Sequence, residues 1–129
     1  MSVKLETLNL EDQTFTTPIE VNGVTFEVYN HIPVPERLEI IDKVLNKCLE
    51  FSKNYCYYIK KDMYFTVLLI QYYTNIDIHE DQMTIEEMGR IYDMFWRNKL
   101  MRKIMAAIDE SELDDLVDTV KITQNGMYH

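Results

Sequence analysis

Pro18-Ile-Glu-Val-Asn-Gly-Val-Thr-Phe-Glu-Val28 is the most informative stretch of this chain. Asn22-Gly23 stands between two β-branched runs, and a two-residue type I′ turn needs positive φ at both central positions, which Asn and Gly adopt most readily. A turn there sets Val21 opposite Val24 and Ile19 opposite Phe26. Ile19, Val21, Val24, Phe26 and Val28 then share one face, with Glu20, Thr25 and Glu27 on the other. Turn chemistry and alternation agree on one register, so the spacing predicts an antiparallel hairpin whose apolar face must be covered. Upstream, Val3 with Leu5 and Leu8 with Leu10 are spaced in twos and predict a third strand within Val3 to Leu10.

The cover comes from the residues downstream of the hairpin. Leu38, Ile41, Val44, Leu45, Cys48 and Leu49 recur at helical spacing, and Pro35 suits a first turn because its missing N–H is not needed there. A helix from about Pro35 to Ser52 is expected, with Glu36, Arg37, Glu39, Asp42, Lys43, Asn46 and Lys47 on a solvated face. Asn54 to Ile59 reads as either a short extended piece or a loop. Asp62 is placed to cap a helix holding Met63, Tyr64, Phe65, Val67 to Ile70, Tyr72 and Tyr73, apolar nearly all round and therefore central. It ends near Thr74-Asn75, and Ile76 to His79 form a connector. Thr84-Ile-Glu-Glu87 has the form of a capping box. Behind it Ile85, Met88, Ile91, Tyr92, Phe95 and Trp96 trace one helical face. After a break near Asn98, Leu100, Met101, Ile104, Met105 and Ile108 make another helix. Asp109 to Glu112 repeats the capping pattern before Leu113, Leu116, Val117 and Val120.

The expected architecture is α+β and mainly helical: an N-terminal hairpin, with three strands if Val3–Leu10 joins it, packed on a bundle of four to five helices. One domain covers 1–123, and 124–129 form a flexible end. At 129 residues and 47% apolar content the chain can bury a core without disulfide or metal. Cys48 and Cys56 show no CxxC spacing and no secretory signal precedes them, so they are read as buried thiols in a reducing cytoplasm. The longest apolar run, around Val67 to Ile70, is far short of a membrane span. Twenty-two acidic against 13 basic side chains give a net charge of −9. A field of that sign repels phosphate backbones and anionic lipid, so neither nucleic acid nor membrane is an expected partner.

The residues offer little chemistry. No phosphate loop, GxGxxG, GxSxG or HExxH occurs, and three glycines in all leave few loops able to bring backbone amides to a phosphate. Asp77-Ile-His-Glu-Asp81 has the donors for a divalent cation, but adjacent side chains on a connector diverge and no second His stands at helical spacing, so it reads as a loop leading into a capped helix. Cys48 or Cys56 with His31 or His79 resembles no thiol-protease signature. Tyr55, Tyr57, Tyr58, Tyr64, Tyr72 and Tyr73 would suit base stacking only in more basic company than Lys53, Lys60 and Lys61 provide. The expectation is a protein that is not an enzyme and carries no metal or cofactor. Its candidate docking residues are Met63, Tyr64, Tyr72, Tyr73, Phe95, Trp96 and Met101, because aromatics and Met are enriched where partners dock.

Asp109, Glu110, Glu112, Asp114, Asp115 and Asp118 admit two readings. The helix dipole accounts for acids in a first turn. As a group they also present an anionic face to a basic partner, the behaviour of a decoy-type inhibitor of a host defence or nucleic-acid enzyme. Arg90, Arg97, Lys99, Arg102 and Lys103 concentrate the opposite charge just upstream. They are placed either to neutralise the last helix within the chain or to join copies head to tail.

One resemblance emerges from these stretches. Val21-Asn-Gly-Val-Thr-Phe-Glu-Val28, Ile32-Pro33 and Glu36-Arg-Leu-Glu-Ile-Ile41 look like the opening of small proteins encoded in phage structural-gene clusters. Tyr73-Thr-Asn-Ile76 and Lys103-Ile-Met-Ala-Ala-Ile108 are similar to later stretches of an uncharacterised group of such proteins from phages and prophages of Gram-positive bacteria. The opening also weakly resembles phage tail assembly chaperones, in which strand, turn, strand and helix begin an α+β domain. The chain departs from the group by stopping soon after Val120, where the group has a longer final helix. The resemblance implies a protein that assists virion assembly, that of the tail in particular, in the host cytoplasm by binding another phage or host protein, with homo-oligomers as a further expectation.

Overall fold

A computed structural model describes residues 1–51 and 57–126, without the side chains of 49–51, 57–58 and 122–126. The hairpin forms as β1 (Thr16–Val21) and β2 (Val24–Tyr29), with Ile19 opposite Phe26 and Val21 opposite Val24. Asn22 and Gly23 take φ of 51° and 81°, the left-handed pair that the turn requires. A Cβ on Gly23 would meet nothing within 4 Å, so only the backbone conformation disfavours a larger residue. We predict that Gly23→Ala lowers the unfolding free energy by about 1 kcal/mol. An unchanged urea midpoint would show that the turn does not depend on that conformation.

No third strand forms among the described residues. Leu5–Leu8 make a single 3₁₀ turn instead, and Asn9 leaves it at φ 49°. The Lys4 carbonyl accepts both the Thr7 amide, at 3.1 Å, and its hydroxyl, at 2.7 Å. Local bonds of this kind compete with strand pairing. The edge on offer is also poor: antiparallel alternation turns the Pro18 nitrogen outward from β1, where there is no N–H to donate. The outer edge of β2 is closed differently. Glu27 donates its amide to the Asn75 side chain at 2.8 Å and accepts the Asn75 amide at 3.2 Å, while Val28 bridges Thr74.

Five helices follow: α1 (Val34–Phe51), α2 (Tyr57–Tyr73), α3 (Ile85–Arg97), α4 (Leu100–Ala107) and α5 (Glu110–Gly126), with a 3₁₀ turn at Glu80–Gln82. The protein is thus α+β and mainly helical. α2 packs between α1 and α3, α5 lies on α1, and α4 touches both strands. One continuous core joins Ile19 and Val28 of the hairpin to Ile40 and Val44 of α1, Val67 to Ile70 of α2, and Ile104 and Leu116 of α4 and α5. α2 supplies its centre, as its uniformly apolar surface requires.

Several boundaries and faces differ from expectation. α2 is already helical at Tyr57, so Asp62 lies in its second turn rather than capping it. The chain from Asn54 to Asp62 holds neither Gly nor Pro, and an Asp favours a helix start without enforcing one. Residues 54–56 of the undecided segment lie outside the described residues. In α1 the inward row is Ile40, Val44 and Cys48, while Leu38 is 55% exposed. The stripe is broad, and only the positions of α2 and α5 choose which part of it is buried. Nor is the charged face of α1 simply solvated, since Lys43 and Arg37 turn towards the buried carboxylates of Glu80 and Glu112. α5 continues past Thr123 to Gly126; 127–129 lie outside the described residues.

Candidate functional site

Thr84 starts α3 by accepting the Glu87 amide at 3.2 Å, the expected half of the capping box. The return bond differs, because the Thr84 hydroxyl itself donates to the Glu87 carboxylate at 3.2 Å. With its start fixed, α3 divides its apolar residues between two rows. Met88, Ile91 and Phe95 face the core, with Met88 buried and the other two partly so. Ile85, Gly89, Tyr92 and Trp96 have the spacing of a second helical row, of which Gly89 and Trp96 contact α2. Met63 is against Gly89, its Cε 3.8 Å from the position of a Cβ there, and Trp96 brings its indole N–H to 3.5 Å from the Thr66 hydroxyl. The two contacts ascend together along both helices, so Met63 and Thr66 of α2 run beside Gly89 and Trp96 of α3, and helical spacing puts Ile59 and Ile85 one turn earlier on the same two rows.

Tyr92 tilts against Trp96 with ring centroids 6.1 Å apart. Ile59 is 62% exposed and Trp96 36% exposed, with Ile85 also open and Met63 and Tyr92 half-buried. Burial, with the nearby charges of Asp62 and Asp93, pushes the Tyr92 hydroxyl above its ordinary pKa, so it stays a neutral donor.

The docking candidates read from sequence are split by the structure. Met63 lies against Gly89 and Trp96 against Thr66, both between α2 and α3, and Phe95 lies partly buried on the core side of α3. Tyr64, Tyr73 and Met101 are buried and offer no surface to a partner. Tyr72 sits on the α1 side, with the Lys43 ammonium 5.3 Å above its ring. Two seam residues, Ile59 and Ile85, carry exposed apolar surface that periodicity did not single out. Ile59 fell in an undecided segment, and Ile85 shared a face with Met88 that only the packing of α2 divides. Of the tyrosines considered for stacking, Tyr55 lies outside the described residues, as do Cys56 and the side chains of Tyr57 and Tyr58.

The acidic group is likewise divided. Asp109 takes the cap of α5, its carboxylate accepting the Glu112 amide at 3.0 Å. Its own amide is taken by the Asn30 carbonyl at 2.8 Å, which leaves the Glu112 side chain free of capping. Glu112 turns inward and is 5% exposed. Its carboxylate accepts the Tyr73 hydroxyl at 2.6 Å and the Ile32 amide at 3.2 Å, meets the His31 ring, and has Arg37 at 3.8 Å. Burial and the waiting carboxylate both push the Tyr73 hydroxyl far above its ordinary pKa. This junction ties the β2–α1 connector, α2 and α5 together. Asp109, Glu110, Asp114, Asp115 and Asp118 remain exposed. Arg90, Arg97, Lys99, Arg102 and Lys103 are all exposed and form no ion pair with α5 among the described residues, because α5 packs on α1.

Cys48 is fully buried within the core. His79 pairs with Asp77 at 2.9 Å on the exposed connector, while the neighbouring Glu80 turns in to Lys43 at 2.7 Å, so the Asp77 to Asp81 donors diverge. No group of three His, Cys, Asp or Glu is gathered for a metal among the described residues. Among those residues, no helix is long and apolar enough to cross a membrane. Comparison with protein-family models, curated proteins and solved structures finds no match to this chain.

Proposed function

We propose that this chain is a non-enzymatic phage accessory protein that acts in the host cytoplasm during assembly of the virion tail, by binding another protein along the α2–α3 seam. The observation that carries the binding half is the row of Ile59, Met63, Ile85, Tyr92 and Trp96, left uncovered on a chain of net charge −9. Aromatic and aliphatic side chains held on rigid helices lose little entropy on docking, and Trp and Tyr dominate the energetics of such contacts. The phage setting rests on the likeness of the hairpin and first helix to small proteins of phage structural-gene clusters.

A decoy acting through Asp114, Asp115 and Asp118 is the competing reading, favoured by their exposure on one helix. The two separate in one binding experiment with the proteins encoded beside this one. Ile59→Asp and Trp96→Ala are expected to weaken the complex tenfold or more, about 1.4 kcal/mol or above, with little dependence on salt. The triple Asp→Asn change at 114, 115 and 118 leaves it intact. Steep salt dependence with loss only in the triple variant transfers the function to α5. Indifference to both sets removes the seam as the site.

A further inference from the structure

The N-terminal arm, Val3 to Leu10, carries aliphatic side chains that nothing among the described residues covers. Val3, Leu5, Leu8 and Leu10 are 54–78% exposed, and no residue of the Leu5–Leu8 3₁₀ turn is buried. A second uncovered strip lies on α1, where Val34 and Leu38 are more than half exposed beside half-buried Ile41 and the α5 residues Leu116 and Thr119. These line a groove of about 170 Å³ between the two helices. Two uncovered apolar surfaces in one chain each lower the free energy by meeting the other.

We propose that the groove receives the arm of a second copy of this chain, in a two-fold dimer that exchanges arms. Charge supports the pairing. In the arm Lys4 and Glu6 flank Leu5, and the groove presents Asp115 and Arg37. Asp115 is exposed, and the Arg37 Nε is buried with no hydrogen-bond partner. A docked arm therefore brings a lysine to a free carboxylate and a carboxylate to an incompletely satisfied guanidinium. In the single chain the arm starts beside the groove but does not enter it. Glu11, Asp12 and Gln13 run past Arg37, Glu112 and Asp115 at the mouth of the groove, yet the residues before them turn on themselves and leave it unfilled. Two symmetric arm contacts bury on the order of 1,000–1,500 Å², the low end of stable interfaces, and the isologous arrangement closes without further growth.

Sedimentation equilibrium of the full chain tests this. The dimer is expected to dissociate in the micromolar range, and Leu5→Asp with Leu8→Asp, or Leu38→Asp alone, to weaken it tenfold or more. All three positions are exposed, so circular dichroism of the variants stays that of the parent. A chain carrying both Leu8→Cys and Leu38→Cys is expected to oxidise to a covalent dimer, with the parent chain as the control for its own thiols. A parent that is monomeric throughout overturns the proposal. So does a dimer indifferent to the Asp variants, or a Leu8→Cys, Leu38→Cys chain that closes within itself as a monomer.

Discussion

Replacing Glu112 with alanine is expected to lower the unfolding free energy by about 3–5 kcal/mol, the largest effect of any single change at a polar residue in this protein. The carboxylate is buried and takes hydrogen bonds from the Tyr73 hydroxyl and the Ile32 amide, with His31 and Arg37 beside it. Truncation leaves the hydroxyl and the amide without an acceptor in a site that water reaches poorly. It also strands the Arg37 guanidinium, whose Nε already has no hydrogen-bond partner. Unmet buried donors cost more than the net worth of the bonds they made. Tyr73→Phe removes only one donor and is expected to cost about 1–2 kcal/mol. The double variant should cost less than the sum, because the hydroxyl is no longer stranded when Glu112 is already gone. Urea titration of the four chains measures this. A loss below about 0.5 kcal/mol for Glu112→Ala, the scale of ordinary surface changes, would show that the junction does not hold α5 to the body.

Lys43→Met is expected to cost about 2–4 kcal/mol at neutral pH, below the full range for breaking a buried pair because Lys43 is 29% exposed. Burial raises the Glu80 carboxyl, but the Lys43 ammonium at 2.7 Å and the Gln71 side chain outweigh it and hold the group below its ordinary value. Burial likewise pulls Lys43 down, and Glu80 and Tyr72 more than restore it, so both partners are ionised together. With Glu80 depressed in the folded chain, the pair's contribution is complete above the ordinary carboxylate pKa and disappears as pH falls through the depressed value. In Lys43→Met the main opposing charge is gone and burial raises the carboxyl instead. Acid then relieves the variant before it harms the parent. The difference between their urea midpoints should therefore narrow between pH 7 and pH 4. A difference that holds constant over that interval would assign the loss to packing of the lysine stem, not to its charge.

Local sequence was enough for the hairpin, its register and the cap of α3, because each depends on neighbours in the chain. Asn22-Gly23 has a backbone preference of its own, and Ile19 and Phe26 follow from it by alternation. Thr84 needs only the Glu87 amide of its own first turn. The central place of α2 was equally legible, since a helix apolar all round has no face to give to water.

Packing between distant elements chose which of several equivalent residues faced which neighbour. Tyr64, Tyr73 and Met101 had the composition of docking residues, as Met63 and Trp96 had, and periodicity cannot tell an apolar row that meets a helix from one that meets solvent. Glu112 had the pattern of a capping residue; the Asn30 carbonyl, reaching Asp109 from the end of the hairpin, released it into the core. Val3 with Leu5 and Leu8 with Leu10 had the spacing of a strand, but a strand exists only with a pairing edge, and β1 presents Pro18 there. Each of these outcomes depends on residues far away in the chain, whose approach no local spacing encodes.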